Sequence, residues 1–232
     1  MCVRYTLHQP EEALEAIAHA IARKLALPEG VKPNYNVTLT HVMPVVAAGA
    51  DGPEVRGMMW GLVPFYEKTK PTMRMLPNAK AETAATLAAF RQGVAKRRCL
   101  VPANGFYEWQ AVGNLKLPHL FTLQDGAPFA FAGIWEPAED TTPATYGILT
   151  TAPNALVAPI HNRMPVILTP ELMPRWLGGD PLPEAEYRAL TQPLPADRMS
   201  ERPVSRYVSN SRHEGPQCIA PPEEAPPELP LG

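Results

Sequence analysis

The sequence predicts an α+β fold: a β-rich single domain with a mixed, barrel-like sheet flanked by a few helices. Three observations carry that expectation. From Tyr35 onward the apolar residues come in short runs of strand length, not at the spacing of long helices. Those runs do not alternate with helices as they would in a doubly wound sheet. And 29 prolines are spread along the chain, each limiting the element that contains it.

A first strand is expected at once, over Cys2 to Leu7. Pro10-Glu11-Glu12 then opens a helix, since proline suits a first turn and acids there complement the helix dipole. Leu14, Ile17, Ala18, Ile21 and Leu25 keep helical spacing, Arg23 and Lys24 fall in the last turn, and Leu27-Pro28-Glu29-Gly30 stops it. Val42 to Ala48 and Val55 to Leu62 read as strands joined by Gly49-Ala50-Asp51-Gly52-Pro53. A second helix is expected from Glu82 to about Arg97, with Leu87, Phe90 and Val94 facing inward. Four strands follow, over Cys99 to Ala103, Phe106 to Gln110, Leu117 to Leu123 and Pro128 to Ile134. A further pair, Thr145 to Thr151 and Met164 to Leu168, brackets a loop with His161. Short helices are expected over Glu171 to Leu177 and Glu184 to Thr191. The domain is taken as residues 1–219, with a Pro/Glu-rich disordered tail over 220–232.

At 232 residues the chain suits one substantial domain. Its net charge of -2 gives no general attraction to nucleic acid, so any such contact must rest on a local patch. Cys2, Cys99 and Cys218 are too few and too scattered for a disulfide framework or a zinc site. No metal or organic cofactor is implied. Without a long apolar run or a signal peptide, the expected setting is the reducing cytoplasm, with no membrane partner.

Several positions have chemical potential. Initiator methionine is usually removed before a small residue, which would leave Cys2 with a thiol and an α-amine on one residue. A 1,2-aminothiol condenses with an aldehyde: the amine forms an imine and the thiol closes a thiazolidine ring. Glu108 sits among Phe106, Tyr107 and Trp109; in a strand it shares a face with Phe106, and apolar company raises a carboxyl's pKa. His161 and Arg163 occupy a short loop stiffened by Pro159 and Pro165, one suited to proton transfer and the other to a phosphate. Asn78 and Lys80 lead into a helix whose N–H groups can receive an anion. Phe65, Tyr66, Lys68, Lys70 and Arg74 interleave aromatic and basic residues, as base stacking and backbone contact require. Taken singly, each has an ordinary structural reading: a buried cysteine, a solvent-facing glutamate, an incidental loop histidine, a turn asparagine.

Their order along the chain is more specific. Cys2, Tyr35-Asn36, Trp60-Gly61-Leu62-Val63-Pro64, Asn78 to Thr83, Gly105 to Trp109 and Pro159 to Pro165 follow one another in a set that resembles the SRAP family, the SOS response-associated peptidase or abasic-site processing proteins. Pro203-Val204-Ser205 and Asn210 resemble its C-terminal motif. The resemblance implies a DNA-damage-response protein that binds single-stranded DNA at abasic sites and forms a covalent thiazolidine crosslink through Cys2. It implies Asn78, Glu108 and His161 as the rest of the catalytic set, and Asn36, Phe65, Tyr66, Lys80, Thr150 and Arg163 as DNA contacts. A monomer is expected; the replication machinery is compatible as a partner, though no residue specifies it. The family name also carries a peptidase activity, whose narrow form is removal of the residue preceding the cysteine. Two other readings stand beside this: a cysteine-dependent hydrolase using Cys2 and His161, and a non-covalent single-stranded DNA-binding module. The chain departs from the family pattern at Val3, where glycine is usual, at Lys80, where arginine is usual, and in Asn36-Val37-Thr38-Leu39, which lacks an alanine-proline.

Overall fold

The computed structural model describes residues 3–68, 73–139 and 142–223. In chain order its elements begin with β1 (Tyr5–Leu7), α1 (Pro10–Ala20), β2 (Asn34–Val37), β3 (Val42–Gly49) and β4 (Gly52–Trp60). Next come β5 (Asn78–Lys80), α2 (Ala81–Ala84), α3 (Arg91–Lys96), β6 (Arg98–Ala103), β7 (Gly105–Val112), β8 (Leu115–Leu123) and β9 (Phe129–Glu136). The chain closes with β10 (Thr145–Thr151), β11 (Met164–Pro165), β12 (Ile167–Leu168), α4 (Met173–Leu177), α5 (Glu184–Leu190) and β13 (Met199–Pro203). The β-rich α+β expectation is met.

Two sheets organise these strands. The larger runs β11-β10-β4-β3-β6-β9-β12, and a further β10–β9 pairing closes it into a ring. It is mixed, because β10 runs parallel to both β4 and β5. The smaller sheet runs β13-β8-β7-β1-β2, with the N-terminal strand inside it. Period-two alternation sorts the ring's side chains between two cores. Val45, Val101, Phe129 and Phe131 face Tyr5, Phe106 and Phe121 of the smaller sheet. Val46, Leu100, Ala130 and Ala132 face the helices, meeting Leu14 and Ile17 of α1 and Trp176 of α4.

Asn104-Gly105, a turn signal in the sequence, is the corner where the chain leaves one sheet for the other. Asn104 N–H donates to Thr6 O at 2.8 Å, and the Asn104 side chain bonds Gln9 through both its oxygen and its nitrogen. A Cβ at position 105 would stand 2.7 Å from Phe121 O, so only glycine lets β7 approach β8 here.

Four expectations are corrected. The first strand is found only over Tyr5–Leu7, and Cys2 lies outside the described residues. Helix α1 stops at Ala20, short of Leu25. Ala22 adopts φ 51°, while Ala22 N–H bonds His19 O and Arg23 N–H bonds Ala18 O: a left-handed stop made without glycine. The helix expected from Glu82 to Arg97 is two pieces, α2 and α3, and Leu87 is 49% exposed instead of facing inward. Between them Thr86 Oγ1 donates to Thr83 O at 3.0 Å, a local bond that competes with helix continuation. Finally, the strand expected over Met164 to Leu168 breaks at Val166, because β11 pairs with β10 and β12 with β9.

Candidate active site

Glu108 comes from the middle of β7. Its neighbours alternate as the sequence suggests: Phe106 packs between the sheets, while Tyr107 turns to the C-terminal segment with Val204, Val208 and Cys218. Glu108 is 3% exposed, so it is no solvent-facing glutamate. Burial holds its carboxyl up at about 7, and its Oε1 accepts no hydrogen bond from the described residues.

His161 meets it from the loop between β10 and β11, with Nδ1 3.8 Å from Glu108 Oε1. That is beyond hydrogen-bond range but close enough for each to sense the other's charge. The imidazole is held from behind, Nδ1 lying 3.1 Å from the Arg163 N–H that donates to it and 3.0 Å from Arg163 O. Partial burial lowers its pKa. Near neutral pH the pair is therefore an uncharged imidazole beside a carboxyl poised between its two forms.

The third wall is Val3, just ahead of β1. Tyr5 pairs with Phe106, and Tyr107 N–H donates to Arg4 O at 3.0 Å, so the register carries Val3 opposite Glu108. Val3, Glu108 and His161 line one cleft of about 990 Å³. Cys2 is outside the described residues, but Val3, to which it is bonded, is part of that wall.

The remaining expected residues divide by what holds them. Asn78 and Lys80 lie on β5, paired with Ile148 and Thr150 of β10. Arg163 gathers this end of the sheet. Its guanidinium takes Glu82 in two bonds of 2.6 and 2.8 Å and donates to Thr150 O at 2.5 Å. Glu82 is acidified by the same contact. Lys80 is exposed, whereas Thr150 is buried beneath Arg163. Asn36 is fully buried: its amide donates to Val208 O, Asn210 O and His213 O and its oxygen accepts from Arg4, tying the C-terminal segment to the first strand. Phe65 and Tyr66 are 56% and 41% exposed on the loop between Leu62 and Leu76, edge to face with each other, and they do not line the cleft. Of the basic residues noted beside them, Lys68 is spent on Pro137 O and Glu139, and Lys70 lies outside the described residues.

Sequence reasoning missed Arg4, Lys116 and Arg206, which line the cleft with Glu108. Arg4 stood two residues from the expected nucleophile and was open to notice. Lys116 and Arg206 carry no local signal; only the neighbouring positions of the β7–β8 hairpin and the segment after β13 bring them together.

Comparison with known proteins matches nearly the whole chain. The profile described as SOS response associated peptidase (SRAP) matches residues 1–211. The Bacillus subtilis abasic site processing protein YoqW is 33% identical, covering 94% of this chain and 99% of its own. The Escherichia coli abasic site processing protein YedK is 29% identical over 95% of this chain and all of its own. A solved structure from Bacteroides thetaiotaomicron superimposes with a TM-score of 0.77 at 25% identity, covering 95% of this chain and 99% of that one.

Proposed function

The chain belongs to the SRAP family, and on that footing we propose that it processes abasic sites in single-stranded DNA by covalent capture through Cys2. The observation that carries the reading is the Glu108–His161 pair in a cleft walled by Val3: an acid of matched strength beside the start of the chain.

The chemistry needs Met1 removed. The freed α-amine of Cys2 adds to the aldehyde of the ring-opened sugar, giving a carbinolamine. Glu108 in its acid form donates a proton to the carbinolamine hydroxyl, which leaves as water as the C=N bond forms. The Cys2 thiol then adds to that carbon, its proton passing to nitrogen, and the thiazolidine closes. His161 assists sugar ring opening, and Asn78 orients the sugar or the amine. Lys80 and Arg163 contact the DNA backbone, Arg163 by exchanging Glu82 for phosphate, with Thr150 holding the guanidinium in place. Phe65 and Tyr66 supply faces for unstacked bases. Asn36 acts indirectly, by fixing the first strand to the C-terminal segment.

The test is intact mass of the purified chain before and after incubation with single-stranded DNA carrying one abasic site. Loss of Met1 and then a stable adduct on the Cys2 peptide, absent in Cys2→Ala, is the expected result. A processed Cys2 that forms no adduct overturns the proposal in favour of hydrolysis or passive binding.

A further inference from the structure

Glu108 has a second neighbour that the capture reading does not use. The β7–β8 register sets His119 directly opposite Glu108, so the two side chains leave the same face of the sheet with Cβ atoms about 5 Å apart. On the next strand, Glu201 accepts a hydrogen bond from His119 Nδ1. The two side chains are 13% and 23% exposed, and neither lines the cleft. Glu108 Oε1 and His119 Nε2 are both buried with no hydrogen-bond partner among the described residues. They belong to the directly opposed pair.

We propose that His119 is a positioning residue for Glu108, held by Glu201 in the Nδ1–H tautomer so that its Nε2 accepts the proton of the Glu108 acid. A carboxylate on Nδ1 leaves the neutral ring's other nitrogen as an acceptor. An acceptor there favours the protonated carboxyl over the ionised one. The acid form is the one that expels water from the carbinolamine, so this row, Glu201–His119–Glu108, would keep the catalyst armed toward higher pH. The inference rests on the capture reading above.

Among the described residues few charged groups stand near Glu108, and the terminal amino group acts against burial by lowering its pKa. His161 stands at 3.8 Å from the β10–β11 loop, and Arg4, Lys116, Arg206 and Glu223 line the cleft. None of these residues is altered by the substitutions at His119 or Glu201.

The experiment uses the full chain with Met1 removed. The first-order crosslinking rate at saturating protein is followed from pH 6 to 9, beside the affinity for the same oligonucleotide with an uncleavable sugar lacking the aldehyde. His119→Phe removes the acceptor; Glu201→Leu removes the carboxylate that fixes the Nδ1–H tautomer, so the ring no longer holds its Nε2 as an acceptor. Both are expected to move the alkaline limb to lower pH, seen as a rate about fivefold lower at pH 8, with DNA affinity unchanged. A limb that stays in place, or a loss that is uniform across pH and matched in affinity, overturns the assignment. Should His119→Phe fail to fold, Glu201→Leu on the partly exposed edge decides alone. A wild type that forms no crosslink at any pH sinks the capture reading and this inference with it, whereas superimposable profiles sink only the role of His119.

Discussion

At the scale of single residues, Glu108 is held in a site that disfavours its charge. Burial takes its carboxyl from 4.5 to about 7. The sign follows from proton binding: between those values the folded chain holds a proton that the unfolded chain has lost, so folding stability falls as pH rises through that window. Above pH 7 the ionised carboxylate costs the fold roughly 3 kcal/mol. Glu108→Gln is therefore expected to gain up to that amount at pH 8 and nearly nothing at pH 4, in denaturant titrations at the two values. The same variant loses the acid and should slow crosslinking far more than it weakens DNA binding. Stability unchanged at pH 8 would mean the carboxyl is better solvated than its burial implies.

At the scale of elements, the stops matter more than the starts. Helix α1 ends where Ala22 turns left-handed, a conformation that costs an L-residue about 1 kcal/mol and glycine little. Arg23, carried round by that turn, reaches Asp51 O in the β3–β4 connection at 2.7 Å. Ala22→Gly is expected to keep the turn and stabilise the protein by about 0.5–1 kcal/mol, less the added entropy of the unfolded chain. Thermal melting reads the gain, and a lower Tm would show that the left-handed turn is not what limits this end. Arg98, at the start of β6, works on another stop: its buried guanidinium donates to Val94 O and Trp176 O, and to Gly178 O and Asp180 O just past α4. A sequence cluster of Lys96-Arg97-Arg98 is thus no basic patch, since Arg97 pairs with Glu136 and Arg98 is inside.

At the scale of the whole molecule, the proposed function asks an almost neutral chain to attract a polyanion, and the cleft is the candidate surface. Arg4, Lys116 and Arg206 line it and Lys80 is exposed on β5. Single strands release about 0.7 of a counterion per phosphate neutralised, so three or so contacts give a log–log salt slope of about −2. Lys116→Glu should flatten that slope and lower affinity for damaged and undamaged single strands alike, as measured by anisotropy at several salt concentrations. A slope near zero would remove the cleft from the DNA path. The placement of β1 bears on the same question. It lies inside the smaller sheet, between β2 and β7, so the segment that presents the N-terminus is anchored on both sides before any ligand arrives.

The sequence by itself determined the β-rich class and most of the longer strands, though not β2, β5 or β13, because period-two alternation and turn residues are written locally. Thr145 to Thr151 was legible to the residue, and Glu108 could be placed on the face of Phe106. It could not place the breaks at Ala22 and Thr86, which depend on a backbone turn without glycine and on a side-chain bond to a carbonyl. Nor could it show that Asn36 is buried, that Arg163 is already held by Glu82, or that Lys116 and Arg206 meet Glu108. Those are decided by strand order, register and tertiary contact, and pairing across a sheet leaves no periodic mark in either strand. For the same reason His119 was passed over: only the β7–β8 register sets it opposite the buried acid.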